Sequence, residues 1–454
     1  METDQYIVAL EIGSSKITGA VATKRKHGNL TVVAIEEEKV VDCIRYGCIQ
    51  NVEEANTRIN RIIKKLENRN GISPRKVKGV YVGVDARSIR NIVNYSERDL
   101  NDETAITDNL IEDINLEAKR SQFVGYDLLD VTPISYSIDK VESKSPVGMF
   151  GSHIDAKLNL IVAKSQIKTN LKRVLDERLQ LPVKGYIPTS IAVADAILTP
   201  DERQLGCMLV DFGAEITTVS IYKNGALQYL ATLPIGSRNI TRDITTLKVL
   251  EERAEDIKKT IGSAIPADSE ASKINIEGIN VSEASNYIVA RAGEIIANII
   301  EQITYAEITA DDIPEGIIIV GGGSRLNGFA DLLEQQSKLK LRKGRIPETV
   351  NVLDKKSNMA IEYIQVVSLL VKGAEIISDL ETCCLAPEFN KDSEDDIDGE
   401  KPPTDPEEPI TPEVKEEPKE EKVSKFKLYF KKKVEQVKSS AENLFKEEND
   451  DDDE

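Results

Sequence analysis

One pattern occurs twice in this chain, with its key residues 200 positions apart. The first copy, from Tyr6, is YIVALEIGSSKITGAVATKRKHGNLTVVAIEEE, and the second, from Cys207, is CMLVDFGAEITTVSIYKNGALQYLATL. Each reads as strand, glycine turn, strand, second turn and strand. Each opens with an apolar run that ends in an acid two residues before a glycine. The pattern predicts two similar halves, each built on a three-stranded meander, although two common hairpins can also match by chance.

A third glycine-containing loop follows in GIIIVGGGSRLNGFADLLEQ. It predicts a buried strand at Ile317–Val320, a glycine run at residues 321–323 and a helix from near Asn327. Glycines between a strand and a helix let backbone N–H groups approach a phosphate or sugar, but GGG is also a simple flexible turn. Residues 54–71, 163–180, 246–264 and 284–303 show helical spacing, so the body is predicted to be α/β.

Composition excludes several classes of function. The 454 residues carry a net charge of −19, which argues against a nucleic-acid partner because phosphate contacts need a basic surface. Five cysteines without a CxxC pair and only two histidines, His27 and His153, offer little for a disulfide framework, a zinc site or a Ser-His hydrolase. We find no signal peptide or long apolar run and expect a cytosolic protein.

The C-terminal 66 residues, 389–454, differ sharply from the body. Residues 389–421 are rich in Pro, Asp and Glu and are predicted to form a disordered linker. Residues 422–446 hold eight lysines and two acids, with apolar residues at helical spacing, before an acidic terminus at 447–454. This pattern favours an amphipathic helix lying in an anionic membrane surface over a helix packed on the body, a coiled coil or a basic partner-binding peptide. Its membrane-binding residues are predicted to be Phe426, Tyr429, Phe430, Lys431, Lys432, Lys433, Val434, Val437, Leu444 and Phe445.

The three glycine loops together suit a nucleotide held in a cleft between the halves. Each hairpin turn offers backbone N–H groups to one end of a polyphosphate. Glu11 and Asp211 would repel phosphate, so we expect them to hold a hydrated Mg²⁺ through water. The candidate nucleotide-binding residues of these loops are Gly13, Ser14, Ser15, Lys16, Gly213, Ala214, Thr217, Gly321, Gly322, Gly323, Ser324 and Arg325.

These loops resemble those of the actin/Hsp70/sugar-kinase superfamily and, within it, the FtsA family of bacterial cell-division proteins, over residues 5–385. ALEIGSSKITGAVA resembles the first phosphate loop, LVDFGAEITTVSIYKNG the second and IIIVGGGSRLNGFADLLE the adenosine loop. The more specific likeness lies in TPISYSIDK, SPVGMFGSHIDAKLNLIVAKS and ILTPDERQLGCMLVDFG. The resemblance implies an actin-like, two-lobed ATPase fold with an inserted 1C subdomain, followed by a disordered linker and an amphipathic helix.

The resemblance also implies subdomain boundaries. Subdomain 1A would hold residues 1–84 and 166–199, 1C residues 85–165, 2A residues 200–245 and 305–388, and 2B residues 246–304. It further implies that Glu255 and Lys258 clamp the ribose and base, whereas their spacing alone indicates an ordinary surface ion pair.

Two positions depart from the superfamily pattern, whose second phosphate loop reads acid-x-Gly-Gly-Gly-Thr. Ala214 and Glu215 replace two glycines, so we expect backbone strain at one and repulsion of a γ-phosphate at the other. Ile216 replaces the threonine, whose hydroxyl Thr217 or Thr218 would supply. Asp195 is the only acid in YIPTSIAVADAIL, where these ATPases carry their hydrolytic residue. We name no catalytic residue and expect ATP binding with weak or absent hydrolysis.

The resemblance implies an ATP- and Mg²⁺-binding protein that polymerises with itself, docks FtsZ through subdomain 2B and meets other division proteins. Its place would be the cytoplasmic face of the cell membrane at the division septum. The alternatives are a superfamily ATPase or sugar-kinase-like phosphotransferase, an Hsp70-like chaperone and a pilus-assembly scaffold. The basic tail favours the tethering function over all three.

Overall fold

The computed structural model describes residues 5–25, 29–266, 275–276, 279–353, 362–378 and 381–386, without the side chains of 101, 102, 275 and 276. It divides into two units, residues 1–389 and 390–454, and all of the described residues belong to the first. The predicted linker, amphipathic helix and acidic terminus lie outside the described residues, as does His27.

The elements are numbered in chain order. Those before residue 206 are β1 (Gln5–Ile12), β2 (Lys16–Lys24), β3 (Leu30–Lys39), β4 (Ile44–Arg45), β5 (Cys48–Ile49), α1 (Val52–Glu67), β6 (Lys76–Val77), β7 (Val80–Val84), β8 (Arg90–Ala105), α2 (Asp108–Lys119), β9 (Tyr126–Ile138), β10 (Val141–Ser143), β11 (Phe150–Lys164), α3 (Ser165–Lys172), β12 (Val183–Pro188), α4 (Thr189–Ile197) and α5 (Pro200–Leu205). Those after it are β13 (Cys207–Phe212), β14 (Thr217–Lys223), β15 (Ala226–Leu233), α6 (Ser237–Ile244), α7 (Glu251–Ile261), β16 (Asn275–Ile276), β17 (Ile279–Asn280), α8 (Val281–Tyr305), β18 (Ile317–Val320), α9 (Phe329–Ser337), β19 (Leu341–Lys343), β20 (Val350–Val352), α10 (Ile364–Ile376) and β21 (Cys384–Leu385).

Two large sheets share one internal strand order. The first runs β12-β7-β1-β2-β3-β20, and the second contains β19-β18-β13-β14-β15 before continuing into β8, β11, β9 and β10. In each, the strand that carries the acid pairs antiparallel with its hairpin partner and parallel with a later strand. The predicted pair of similar halves is therefore confirmed at the level of topology.

Helices cover both sheets because their central strands are apolar on both faces. β1 is buried from Tyr6 to Leu10, and α1 lays Ile59, Ile62 and Leu66 against the sheet. Gly19 in β2 permits this approach, since a Cβ there would lie 2.5 Å from the Cγ2 of Ile62. In the second half the long helix α8 buries an isoleucine-rich stripe in the same way. Among the described residues, none of the helices combines the length and apolarity that a membrane span needs.

An inserted domain of β8, α2, β9, β10 and β11 has its own core, which includes Ile114, Tyr136 and Leu158. Its sheet joins that of the second half where Arg90 of β8 pairs with Ala231 of β15. Asn159, fully buried, donates its amide to the carbonyl of Leu227 at 2.6 Å. This polar anchor fixes the insert on β15, because an unpaired amide buried there would be costly.

We expect a pH-dependent contact on the insert at His153. Its Nδ1 lies 2.7 Å from Asp99, the residue opposite on β8, and its Nε2 lies 2.9 Å from Asp155. Hydrogen bonds to Asp99 and then Asp155 raise the pKa of His153 above the ordinary histidine value of 6.5. The stabilisation is therefore present below pH 6.5 and is lost as pH rises through the higher folded pKa. NMR titration of a His27→Gln variant, which retains one imidazole, should give a midpoint above 6.5; a midpoint at or below that value would contradict the contact.

Candidate functional site

The two glycine turns have the same hydrogen bond. Gly13 N–H donates to the carbonyl of Lys16 at 3.0 Å, and Gly213 N–H donates to the carbonyl of Ile216 at 3.0 Å. Ala214 does not occupy the positive-φ region, so the strain expected there is wrong. The replaced glycine was not needed for the backbone conformation of this turn.

Three carboxylates, two from the first half and one from the second, lie close enough to influence one another's ionisation. Burial raises the pKa of Glu11 to about 7, with Lys16 opposing it, and burial raises the pKa of Asp211 to about 6, with a Gln365 hydrogen bond opposing it. Burial and then the charge of Asp211 raise the pKa of Asp85 to about 7. The charge of Asp211 destabilises the ionised forms of Glu11 and Asp85, and a divalent cation near these groups would offset that repulsion.

The chemistry of this donor set fits a hydrated Mg²⁺. Among the described residues, no three acidic, histidine or cysteine side chains converge closely enough to hold a metal ion directly. Glu11 and Asp211 could act through the ion's own waters, as predicted, because Mg²⁺ gives up its hydration shell reluctantly.

Sequence reasoning missed Asp85 and Gln365. Asp85 directly follows the apolar strand β7, which lies parallel to β1, so their carboxyl ends share one sheet edge. That position after a buried strand was a usable signal. Thr218 donates to Asp85 at 3.2 Å, and Gln365 of α10 donates to both oxygens of Asp211 at 2.9 and 3.0 Å. No local sequence pattern marks Gln365 as a site residue, because its partner Asp211 lies 154 residues away in the sequence.

The predicted residues of the first turn have partners elsewhere in the protein. Ser14, 7% exposed, accepts a hydrogen bond from the N–H of Gly47 at 3.1 Å. Lys16 pairs with Glu37 at 2.9 Å, and its ammonium lies 4.5 Å from the ring centroid of Tyr363. Ser15 is exposed. Contacts within the protein therefore hold this turn in place without a ligand.

The glycine run follows β18, as predicted. Gly321 has φ +88° and Gly323 packs against the ring of Phe212, which stacks on Phe329 at 4.4 Å between ring centroids. The hydroxyl of Ser324 donates to the carbonyl of Gly321 at 2.7 Å, and Arg325 pairs with Glu362. The helix expected near Asn327 begins at Phe329, because a 3₁₀ turn over Gly322–Arg325 and a left-handed Gly328 precede it.

Glu255 and Lys258 form a partly buried network rather than an ordinary surface pair. The ammonium of Lys258, 8% exposed, donates to Glu255 at 2.7 Å, to the hydroxyl of Thr241 at 2.8 Å and to the carbonyl of Ser237 at 3.0 Å. Burial alone would raise the pKa of Glu255, but Lys258 lowers it to about 2. The network joins α7 to α6, and its role against a nucleoside stays a prediction.

Three further residues have partners within the protein. Thr217 donates its hydroxyl to the carbonyl of Ile235 at 2.7 Å. Asp195 pairs with Arg203 at 2.9 Å and with Lys372 at 2.7 Å. These two ion pairs give Asp195 a structural role. Glu215 is only 1% exposed, so its carboxylate does not stand free in the cleft.

Comparison with known proteins relates this chain to a family of cell-division proteins. A family model described as cell division protein FtsA matches residues 208–361, and one described as the SHS2 domain inserted in FTSA matches residues 86–162, the region of the insert. The cell division protein FtsA of Porphyromonas gingivalis is 31% identical over 386 residues, covering 82% of this chain and 79% of that protein. FtsA of Bacillus subtilis is 26% identical over 384 residues, covering 80% of this chain and 84% of that protein.

A solved structure, the PilM-PilN type IV pilus biogenesis complex, shares the fold with a TM-score of 0.58 at 16% identity, covering 81% of this chain and 98% of that one. The duplicated halves, the insert and the relative that is 31% identical agree with one another. The chain therefore belongs to the FtsA family of bacterial cell-division proteins, with an actin-like α/β fold and an inserted SHS2 domain.

Proposed function

We propose that this protein binds ATP with Mg²⁺ between its halves, polymerises, and ties FtsZ to the cytoplasmic face of the membrane at the division septum. The nucleotide site rests on the pairing of the two glycine turns, which have equivalent hydrogen bonding and whose carboxylates, Glu11 and Asp211, repel each other. Such paired turns are suited to the two ends of a polyphosphate.

Different parts of the chain would bind the phosphates and the nucleoside of ATP. Backbone N–H groups at Ser14, Ser15 and Ala214 would bind phosphate oxygens, and the glycine run at 321–323 would lie against the nucleoside. A hydrated Mg²⁺ beside Glu11 and Asp211 would supply neutralising charge when bound. Asp195 is already paired, so we assign no hydrolytic residue and propose weak or absent hydrolysis.

The membrane tether rests on the sequence of residues 422–446. Each of its lysines near an anionic leaflet contributes roughly 1 kcal/mol, and each buried phenylalanine roughly 1.5–3 kcal/mol before ordering costs. One copy then binds reversibly, whereas a polymer presents many copies and binds much more strongly. The subdomain boundaries and the FtsZ contact through 2B remain part of this proposal.

Co-sedimentation with anionic liposomes tests the tether and its link to ATP. Full-length protein should pellet, more of it with Mg-ATP than without, whereas a truncation after Pro418 should stay in solution. A Phe426→Glu/Phe430→Glu variant keeps the length and linker and should lose at least tenfold in membrane affinity, because two buried aromatic rings become charged. Uncharged phosphatidylcholine liposomes serve as the lipid control. Pelleting of the truncation as strongly as full-length protein would refute the tether, and ATP-independent pelleting would refute the nucleotide-linked polymer.

A further inference from the structure

Glu215 sits in the second glycine turn with its carboxylate surrounded by arginines. Its Oε1 accepts hydrogen bonds from Arg238 Nη1 at 3.3 Å and Arg242 Nη2 at 3.0 Å. Arg45 Nε lies 2.8 Å from the same oxygen as an ion pair outside hydrogen-bonding geometry. The other oxygen accepts the backbone N–H of Tyr46 at 2.7 Å. Three hydrogen-bond donors and one further guanidinium therefore face a carboxylate that is 1% exposed.

These donors come from both halves of the molecule. Arg45 and Tyr46 belong to the β4–β5 hairpin of the first half, and Arg238 and Arg242 belong to α6 of the second half. The Arg238 guanidinium also donates across the junction to the carbonyls of residues 41 and 40, at 3.1 and 3.4 Å. The contact therefore joins the two halves directly.

The same hairpin also contacts the first glycine turn. Next to Tyr46, the N–H of Gly47 donates to Ser14 at 3.1 Å. Two consecutive backbone N–H groups thus bind one residue from each turn, Glu215 and Ser14. The spacing between the turns is set through this hairpin without any ligand.

Three guanidinium groups and a backbone N–H converging on one point form a receptor for an oxyanion. A buried charge is tolerated only when it is paired, so removal of the carboxylate would leave uncompensated cations. The outer partners of these arginines are weaker: Asp42 lies 3.5 Å from Arg45, and Glu251 lies 3.4 Å from Arg238 and is half exposed.

We propose that Arg45, Arg238, Arg242 and the Tyr46 N–H form an oxyanion-binding site whose resident ligand is the Glu215 carboxylate, and that this internal anion latches the two halves together without nucleotide. The superfamily places a small glycine at this position, so the latch is a property of this chain's glutamate. The latch acts in the nucleotide-free protein and does not depend on ATP binding.

Hydrogen exchange of the full-length, nucleotide-free protein measures how strongly the contact protects the backbone amides of each half. Glu215→Ala should speed amide exchange about tenfold or more in residues 40–47 of the first half and in residues 237–244 of the second, because both lose their shared partner. Glu215→Gln keeps an acceptor for Tyr46 but loses the charge, and should give a smaller increase. Glu251→Gln removes an exposed acid from the same Arg238 and should change neither segment.

Chemical rescue identifies the site as an oxyanion receptor. Adding inorganic phosphate or acetate to Glu215→Ala should restore slow exchange saturably, whereas chloride at equal ionic strength should not, and the wild-type protein should respond to none of them. Unchanged exchange in both Glu215 variants, or equal rescue by chloride, would overturn the proposal.

A second variant covers the case in which Glu215→Ala does not fold. Arg242→Gln weakens the receptor while leaving Arg45 and Arg238, and should speed exchange in both segments without rescue by phosphate. If Arg242→Gln speeds exchange only in residues 237–244 and not in residues 40–47, the proposed latch is wrong. Failure of the wild-type protein to bind ATP would refute the proposed function and leave these results unaffected, because no nucleotide is present.

Discussion

Gly321→Ala should unfold at markedly lower urea concentration than the wild-type protein, with a loss of roughly 3 kcal/mol, and should lose ATP binding. Gly321 has φ +88°, where a side chain is strained. A Cβ there would also lie 2.4 Å from the carbonyl oxygen of Phe212 and 2.5 Å from Oδ1 of Asp211. The backbone of β13 cannot give way without moving the carboxylate that we assign to Mg²⁺, so stability and binding should fall together.

The neighbouring glycine is the matched control for stability. A Cβ on Gly322 would meet nothing within 4 Å, and its φ lies outside the left-handed region. Gly322→Ala should therefore unfold within about 0.5 kcal/mol of the wild-type protein. Urea unfolding without nucleotide and titration with a fluorescent ATP analogue measure the two effects separately. Equal stability of the two variants would show that the conformation at Gly321 is not fixed as described.

Lys258→Met should cost about 1.5–3 kcal/mol in the free energy of unfolding at pH 7, because it removes the buried ammonium that hydrogen-bonds the Glu255 carboxylate, which is itself 33% exposed. Lys258 is 8% exposed and contacts Glu255, Thr241 and Ser237. Lys259 is its control, since it pairs with the same Glu255 at 3.2 Å but is 66% exposed. Lys259→Met should cost less than about 1 kcal/mol.

The pH dependence distinguishes a lost ion pair from simple loss of packing. The pKa of Glu255 is lowered from 4.5 to about 2, so its contribution is present above pH 4.5 and is lost as pH falls through about 2. In Lys258→Met the carboxyl loses the cation that lowers its pKa, so this acid-induced loss should shrink. The stability difference between variant and wild type should therefore narrow between pH 4.5 and pH 2. A constant difference across that range would indicate packing alone.

Local patterns predicted much of the fold. The two meanders, the strand at Ile317–Val320 and the acids before each glycine turn follow from alternation and turn residues that lie close together in sequence. The helix after the glycine run was predicted two residues early, because a 3₁₀ turn and its boundary at Gly328 depend on backbone conformation rather than on apolar spacing.

The environment of the site depended on distant partners. Glu215 was expected to face a phosphate, yet its donors lie 169 residues before it and 27 residues after it. Asp85 had a local signal in its place after β7, but the approach of Asp85 and Gln365 to Asp211 depends on how β7 and α10 pack. Predicting such contacts requires knowing which strands are neighbours, and that is set by the sheet as a whole.

The attachment of the inserted domain has a mechanical consequence. Both of its chain connections, from β7 and into α3, belong to the first half, while its sheet is anchored on β15 of the second. A rotation that opens the cleft cannot leave the insert at rest relative to both halves. Such a rotation would strain the insert's covalent connections or its contact with β15, and would move the insert relative to at least one half. A distance probe between the insert and either half would therefore read cleft opening directly.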